Sequence, residues 1–350
     1  MVIFDKIKYI FIILLFLYLG CKGSNNMRDN KGSYYDGKNF YNLDNSKKPP
    51  SLSDVIYWQS TRNFINLPSL NPKDYNFEVL ENQGELIKSN NSKFSITWIG
   101  HATTLIQLNG KNILTDPIWS DRCSPVNFAG PKRYTKPGLT FENLPKIDIV
   151  LISHNHYDHM DLPTLKKLDQ KFNPIFFVGL KNKNFLINEG LDRVVELDWW
   201  ELYKMDEISI TFTPTQHSSA RGVFDKDTTL WGSFVVQGSK NSFYFAGDTA
   251  YFPEFNEIGN KFPGIDLAIL PIGAYEPRWF MKVVHMNPEE AILSFSNLKA
   301  KYMVPIHYQT FVLTDEPLDE PLKKTREIFI NKFKSTDRLL DLKIGESRFF

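Results

Sequence analysis

The fold of this chain is decided by the stretch IDIVLISHNHYDH, which runs from Ile147 to His159. Its first half, Ile147–Ile152, is short, β-branched and apolar apart from Asp148, so it predicts a buried β-strand. Its second half places three histidines and one aspartate within six residues. Because a rigid strand aims the side chains that follow it, this stretch predicts a metal site built from imidazole and carboxylate ligands.

The other candidate ligands also follow strand-like segments. His217 comes after Ile208–Thr213, and Asp248 closes a segment that begins at Phe243. His307 ends the run that starts at Tyr302. A single histidine after a strand is usually structural, but repeated placement at strand ends is difficult to explain by packing and favours a shared site.

The residues His154–His159 match the His-x-His-x-Asp-His signature of the metallo-β-lactamase superfamily, and His217, Asp248 and His307 follow in that family's order. Further segments resemble one branch of it, the N-acylphosphatidylethanolamine-hydrolysing phospholipases D. These segments are Trp98–Thr103, Leu114–Pro117, Gly130–Arg133, Leu151–His159, Glu196–Trp200, Phe245–Thr249, Pro271–Met281 and Gly345–Arg348. The resemblance runs from about Phe94 to the end of the chain, and Pro271–Met281 is its most specific part.

The resemblance implies an α/β fold, the four-layer αββα metallo-β-lactamase sandwich, with two zinc ions per chain. The implied ligands are His154, His156 and His217 for one ion, Asp158, His159 and His307 for the other, and Asp248 as a bridge. Two divalent cations about 3.5–4 Å apart can stabilise both the attacking and the leaving oxygen of a displacement. Asp158 is therefore expected to be essential for catalysis, because it completes the second ligand set.

The resemblance also implies roles outside the metal set. The residue that matches His285 lies at the active site of the phospholipase, so His285 is expected to contact phosphate or protonate the leaving group. The candidate substrate-binding residues are Tyr157, Arg278, Trp279, Phe280 and Met281, the last three as an acyl-chain groove. Arg278 has the alternative of pairing with Glu276, and aromatic residues often simply fill a core.

Two more polar residues are candidate supports for the ligands. Asp116, in the sequence Thr-Asp-Pro, either orients the ligand loop or caps a turn. His101, which follows Gly100, is either a support for a ligand or, as we favour from the sequence, a structural residue.

The rest of the domain alternates between strand and helix patterns. Predicted strands are Phe94–Ile99, Thr104–Leu108, Asn112–Leu114, Pro174–Val178, Arg193–Leu197, Ile208–Thr213, Leu230–Val236, Ser242–Ala246 and Tyr302–Ile306. Asn109-Gly110 predicts a two-residue hairpin turn. Predicted helices begin after Asp161, begin at Pro288 with Asn287 as the cap, and cover Leu322–Phe333.

Composition excludes some classes of protein. The net charge is +1 over 350 residues, which gives no reason to expect a nucleic-acid partner. The chain contains two cysteines, Cys21 and Cys123, so it has no disulfide framework. The sequence does not indicate an oligomeric state.

The amino terminus resembles a bacterial lipoprotein signal. Lys6 and Lys8 precede the apolar run Tyr9–Leu19, and Gly20 then stands before Cys21. An ordinary cleaved signal peptide and an uncleaved anchor are the alternatives, since such signals usually have leucine where Tyr18 stands. We therefore expect an exported protein whose lipidated Cys21 holds it at a membrane surface, on the periplasmic or the cell-surface face.

The domain organisation follows from these patterns. We expect a signal peptide over 1–20, a flexible tether over 21–50 because its composition is polar, a lead-in segment over 51–93, and a hydrolase domain over 94–350. The expected activity is that of a zinc-dependent phosphodiesterase of the phospholipase D type, with a phospholipid substrate. The alternatives are a hydrolase of another phosphodiester or a lactone, and a non-catalytic lipoprotein that binds lipid or a partner.

Overall fold

The computed structural model of the protein describes residues 32–44, 50–64, 67, 74–75 and 77–350. The predicted signal peptide over 1–20 and the predicted lipidation site Cys21 lie outside these residues. Within the described ranges, no helix is both long and apolar enough to cross a membrane.

The strands and helices alternate along the chain. The strands are β1 Tyr34–Tyr35, β2 Phe40–Tyr41, β3 Ser95–Gly100, β4 Thr103–Leu108, β5 Lys111–Thr115, β6 Ile149–Leu151, β7 Ile175–Gly179, β8 Val194–Leu197, β9 Leu202–Met205, β10 Ile208–Thr213, β11 Ser233–Gln237, β12 Ser242–Phe245, β13 Leu267–Pro271, β14 Tyr302–Ile306 and β15 Ser347–Phe349. The α-helices are α1 Leu52–Thr61, α2 Glu85–Ser89, α3 Leu162–Phe172, α4 Lys183–Asn188, α5 Phe255–Lys261, α6 Arg278–Met281, α7 Pro288–Leu298 and α8 Glu320–Phe333.

Two large sheets organise the described part of the domain. One has the strand order β15-β3-β4-β5-β6-β7-β8, and the other has the order β14-β13-β12-β11-β10-β9. Strands β5 to β8 are parallel to one another, as are β12 to β14. Mixed sheets of this kind, with helices between parallel strands, are typical of α/β proteins.

The core lies between the two sheets and continues under the helices. Ile149 and Leu151 of β6 belong to the same apolar cluster as Phe212 of β10, whereas Val150 points to a second cluster that contains Leu165 of α3. This alternation is the period of two of a strand that is buried on both faces. On the far side of the second sheet, α7 contributes Phe295, and the layers together make the predicted αββα sandwich.

Local sequence signals explain several element boundaries. Asn109 and Gly110 both have positive φ in the two-residue turn between β4 and β5, as the sequence predicts. Asn287 accepts a hydrogen bond from the backbone N–H of Glu290, whose side chain bonds back to Asn287, so α7 begins with the predicted capping box. Asp161 does precede α3, but its carboxylate bonds the Ser120 and Thr164 hydroxyl groups and no helix backbone N–H.

The structure adds elements that the sequence pattern did not predict. Strand β13 lies between β12 and β14, where its apolar run directly adjoins the motif segment Pro271–Met281. Strand β9 is half exposed at a sheet edge, so it lacks the alternation of a buried strand. Helix α5 is short and leads from β12 toward β13.

The prediction of a flexible tether does not hold for residues 32–44. These residues contain the β1–β2 hairpin, and Phe40 is buried in the apolar cluster that also contains residues of both large sheets. The backbone N–H of Phe40 bonds the carbonyl oxygen of Asp227 at 2.7 Å. Burial of Phe40, together with hydrogen bonds to the domain, therefore orders a segment whose composition is polar.

The described part of the lead-in segment packs on the domain through α1. Trp58 stacks on Phe280 with ring centroids 5.0 Å apart and donates its indole N–H to Asp315. Arg62 forms an ion pair with the same carboxylate. Helix α1 thus covers the segment around α6, which leads toward His285.

Candidate metal centre

The strand directions explain why the candidate ligands meet. In the first sheet β3, β5 and β6 run in the same direction, and in the second sheet β10, β12 and β14 do so. The residues that follow the ends of these strands are His101, Asp116, His154, His217, Asp248 and His307. The carboxyl ends of parallel strands share one edge of each sheet, so these side chains converge at a single edge of the sandwich.

The first ligand cluster consists of His154, His156 and His217. The Nε2 atom of His154 lies 2.8 Å from Nδ1 of His156, and Nε2 of His217 lies 3.3 Å from the same Nδ1 atom. All three candidate ligand nitrogens lie within 4.8 Å of one another. Three imidazole nitrogens that converge in this way match the donor set of a divalent transition metal.

The second cluster gathers around Asp158. Its Oδ2 atom lies 2.9 Å from Nε2 of His101, 3.1 Å from Nε2 of His159 and 3.3 Å from Nε2 of His307. Asp248 lies between the clusters, with Oδ2 3.1 Å from His159 Nε2 and 3.9 Å from His217 Nε2. Every residue of the implied ligand set is therefore brought together, and His101 joins them.

The hydrogen bonds at Nδ1 of His217 and His159 turn the Nε2 atoms of these rings toward the clusters. His217 donates its Nδ1–H to the carbonyl oxygen of Val284 at 2.9 Å, which leaves Nε2 as an acceptor. His159 bonds Asp116 through Nδ1 at 2.6 Å. Asp248 Oδ1 is buried without a hydrogen-bond donor among the described residues, although His307 Nε2 lies 3.2 Å away. The donors present therefore fit a metal-binding site.

Asp116 supports both clusters at once. It accepts hydrogen bonds from the Ser153 backbone N–H at 2.7 Å and from the Ser153 hydroxyl at 2.6 Å. Because that hydroxyl donates to Asp116, it accepts from Nδ1 of His154, and Nε2 of His154 is left free. Of the two interpretations of Asp116, the geometry favours a carboxylate that orients ligands.

His101 contacts the candidate ligand Asp158, so it lies in the site and is not merely structural. Its backbone N–H donates to Thr310 Oγ1 at 2.8 Å, and its carbonyl oxygen accepts from the N–H of His307 at 3.0 Å. His101 and His307 both have positive φ, at 54° and 67°. Non-glycine residues are held in this conformation only where the surroundings enforce it, as at many functional sites.

The pKa values of the clustered histidines are shifted in two opposite directions. Burial lowers the pKa of His156 to about 4 and that of His217 to about 3, so both rings are neutral at pH 7. Burial has the same effect on His307, but Asp248 and Asp158 outweigh it and raise its pKa to about 9. The carboxylates likewise raise the pKa of His159 well above its ordinary value.

We expect metal binding to release protons, because cations must displace them from His159 and His307. The nearby carboxylates raise the pKa of both rings, so metal binding at pH 7 should be accompanied by net release of protons. Apparent affinity should increase as the pH rises through the pKa of His307, about 9, because the neutral ring becomes the main form only above that pH. Calorimetric titration of the metal-free protein in buffers of different ionisation enthalpy measures this release, and a heat independent of the buffer would contradict it.

His285 lies beside the two clusters. Its Nδ1 atom is 3.8 Å from Asp248 Oδ2, and its ring centroid is 5.2 Å from that of His217. Nδ1 is buried without a hydrogen-bond partner in the described structure. Burial lowers the pKa of His285 to about 3, so the ring is neutral at pH 7. An unpartnered neutral imidazole at this place is available to substrate, or to a metal ion together with Asp248 and His217.

The candidate substrate residues divide into different roles. The guanidinium group of Arg278 bonds Glu290 at 2.8 Å and the carbonyl oxygen of His285 at 3.1 Å, so it holds the chain around His285 instead of presenting itself to phosphate. Phe280 and Met281 are buried in a cluster with Trp58 and Val284, and do not line an open groove as predicted. Trp279 is 53% exposed and contacts Tyr57.

Tyr157 is fixed by a residue that sequence reasoning missed. Its hydroxyl donates to the carbonyl oxygen of Arg221 at 2.8 Å, and the guanidinium group lies 4.1 Å from its ring centroid. Arg221 also bonds the carbonyl oxygens of Asn155 and Met160 at 2.8 and 2.9 Å. Arg221 therefore clamps both ends of the ligand loop, and no sequence motif marks it.

The sequence of this chain is similar to a known family and to named proteins of that family. A family model described as a β-lactamase superfamily domain matches residues 111–308. N-acyl-phosphatidylethanolamine-hydrolyzing phospholipase D 1 of Caenorhabditis elegans is 42% identical over 245 residues, which cover 66% of this chain and 68% of the relative. The mitochondrial N-acyl-phosphatidylethanolamine-hydrolyzing phospholipase D of Saccharomyces cerevisiae is 36% identical over 282 residues, which cover 79% of this chain and 59% of the relative.

Solved structures support the fold. Igni18, a metallo hydrolase from the archaeon Ignicoccus hospitalis, superimposes with a TM-score of 0.56 at 23% sequence identity. The superposition covers 74% of this chain and 99% of that chain. At this level of identity the likeness concerns the architecture alone.

Proposed function

The chain belongs to the metallo-β-lactamase superfamily and is a metal-dependent hydrolase, and from this premise we propose that it is a phospholipase of the D type. Its proposed reaction is the hydrolysis of N-acylphosphatidylethanolamine to phosphatidic acid and N-acylethanolamine. The proposal is supported by relatives that carry this name and are 36–42% identical to the chain. The alternatives are a different phosphodiester or a lactone as the substrate.

The observation that carries the proposal is the position of His285. The segment before it, which most resembles the phospholipases, leads through α6 to a neutral imidazole beside Asp248. Arg278, on the same segment, holds the carbonyl oxygen of His285. A group outside the metal ligands can bind the phosphate or pass a proton to the leaving oxygen, and the position of His285 suits it to this role.

The proposed chemistry is an attack of water on phosphorus. The bond between phosphorus and the ethanolamine oxygen breaks, the water oxygen stays on phosphatidic acid, and a proton from water passes to the departing alkoxide. When bound, divalent cations supply positive charge that acidifies water and stabilises the phosphate oxygens. Asp116 and the carbonyl oxygen of Val284 orient the histidines that would hold those ions. Neutral His285 is the proposed relay, which accepts the proton from water and passes it to the leaving oxygen.

The proposed metal is zinc, with two ions per chain. Imidazole and carboxylate donors without thiolate suit zinc, although iron and other first-row metals accept the same donors. In the implied ligand assignment, one ion is bound by His154, His156 and His217, and the other by Asp158, His159 and His307. Asp248 lies between them. Elemental analysis of the purified protein distinguishes zinc from iron.

Turnover of a generic phosphodiester separates the enzyme from a non-catalytic binding protein. We expect purified protein to hydrolyse bis-p-nitrophenyl phosphate, to lose this activity with a chelator, and to regain it with zinc. No turnover by metal-loaded protein would favour the lipid- or partner-binding alternative. Turnover of a lactone in preference to any phosphodiester would instead favour the second hydrolase alternative.

The proposed location is a membrane surface, through lipidation of Cys21 after export. We expect Cys21→Ser to move the protein from the membrane fraction to the soluble fraction, because one acyl-modified residue is the proposed attachment. Turnover of bis-p-nitrophenyl phosphate should remain at the wild-type level, since every proposed catalytic group lies beyond residue 100. If wild-type protein incorporates no labelled fatty acid, the lipoprotein assignment is wrong.

A further inference from the structure

The β1–β2 hairpin precedes the region that resembles the phospholipases, yet it reaches a candidate metal ligand. Asn42, directly after β2, is buried. Its side-chain Nδ2 donates to the carbonyl oxygen of His217 at 2.8 Å, and its Oδ1 accepts from the backbone N–H of His217 at 3.0 Å. The indole N–H of Trp231 also donates to Oδ1, at 3.0 Å.

The backbone of His217 needs a hydrogen-bond partner such as Asn42, because His217 lies beyond the end of its strand. It lies four residues past the end of β10, so its backbone N–H and carbonyl groups have no ladder partner in the large sheet. The primary amide of Asn42 supplies one donor and one acceptor and replaces a neighbouring strand. The ring of His217 is held separately, by the carbonyl oxygen of Val284.

The hairpin that carries Asn42 is itself fixed to the domain. Phe40 is buried in the large apolar cluster, and the side-chain amide of Asn39 bonds the carbonyl oxygen of Lys226 at 3.2 Å. The backbone N–H of Ser33 bonds Asp198 at 3.0 Å. These contacts hold the amide of Asn42 in place, so the position of His217 depends on a segment far from it in sequence.

We propose that Asn42 is a positioning residue for the metal site formed by His154, His156 and His217, so that the amino-terminal hairpin is part of the active-site architecture. The inference rests on the proposed metal-dependent function, but not on the identity of its substrate. Loss of a hydrogen bond that orients a metal ligand typically weakens metal binding by about 10–100-fold, and we expect an effect of this size for Asn42.

The test is zinc affinity, measured by competition with a chromophoric chelator. We expect Asn42→Ala to weaken one of the two bound zinc ions by about 10–100-fold and to leave the other ion near its wild-type affinity. Asn39→Ala is the matched control, because its amide does not touch the site and the hairpin that carries Asn42 stays anchored through Phe40 and Ser33. It should bind both ions like the wild type, and circular dichroism at the assay temperature monitors folding.

Asn42→Asp keeps the proposal testable if Asn42→Ala does not fold. Its carboxylate still accepts from His217 and Trp231 but cannot donate to the carbonyl oxygen of His217, so the same selective weakening is expected. Wild-type affinity for both ions in a folded Asn42 variant overturns the proposal. Equal loss of both ions in Asn42→Ala and Asn39→Ala also overturns it, since the hairpin would then act only on general stability. Because lipid is absent, failure of the phospholipase proposal would leave these results unaffected.

Discussion

Asp158→Ala is expected to lower turnover by about 10³-fold or more and to reduce bound metal from about two equivalents to about one. The Oδ2 atom of Asp158 lies within 3.3 Å of Nε2 on His101, His159 and His307, so the substitution removes the carboxylate that joins these three rings. Elemental analysis and an assay with bis-p-nitrophenyl phosphate measure the two effects on the same preparation.

Two further variants make this result specific. Asp192 is exposed on the surface, so Asp192→Ala removes a carboxylate without touching the site and should retain full activity. Asp158→Asn keeps the size of the side chain and removes its charge, so it separates loss of charge from loss of packing. Full metal content together with full activity in Asp158→Ala would exclude Asp158 from the metal site.

His285→Ala is expected to lower kcat by about 10²–10⁴-fold on the lipid substrate, the usual effect of losing a positioned acid or base. Metal content should stay at the wild-type level, because the implied ligand set is complete without His285. The loss should be smaller on bis-p-nitrophenyl phosphate, since nitrophenolate leaves without a proton. Rates on both substrates, with metal content measured alongside, provide the test.

The outcomes for His285 distinguish several roles. Equal losses on both substrates indicate that His285 positions the phosphate and does not protonate the leaving group. Loss of one metal equivalent would assign His285 to the ligand group that it can form with His217 and Asp248. Unchanged rates on both substrates would make His285 structural and would remove the observation that carries the phospholipase proposal.

The fold class could be predicted because its signals are local. The apolar run before His154, the Asn109–Gly110 turn and the capping box at Asn287 each lie within a few neighbouring residues, and each has the predicted structure. The clustering of candidate ligands was also predictable in outline. Ligands that follow strands of the same direction must meet at one edge once the sheets form.

Long-range contacts could not be predicted in the same way. Asn42 and His217 are separated by 175 positions, and nothing in the polar composition around Asn42 distinguishes it from a linker residue. Arg221 acts through backbone carbonyl groups, which every residue has, so it leaves no sequence signature. Phe280 and Met281 illustrate the opposite case, since a motif suggested a substrate groove where tertiary packing against Trp58 buries both side chains.

Product analysis on a defined N-acylated phospholipid in ¹⁸O-labelled water tests the central claim most directly. The account predicts equal amounts of phosphatidic acid and N-acylethanolamine, with ¹⁸O in the phosphatidic acid, because water attacks phosphorus. Release of free fatty acid, formation of diacylglycerol, or no turnover by protein that carries its metal and hydrolyses a generic phosphodiester would contradict the proposed phospholipase D activity.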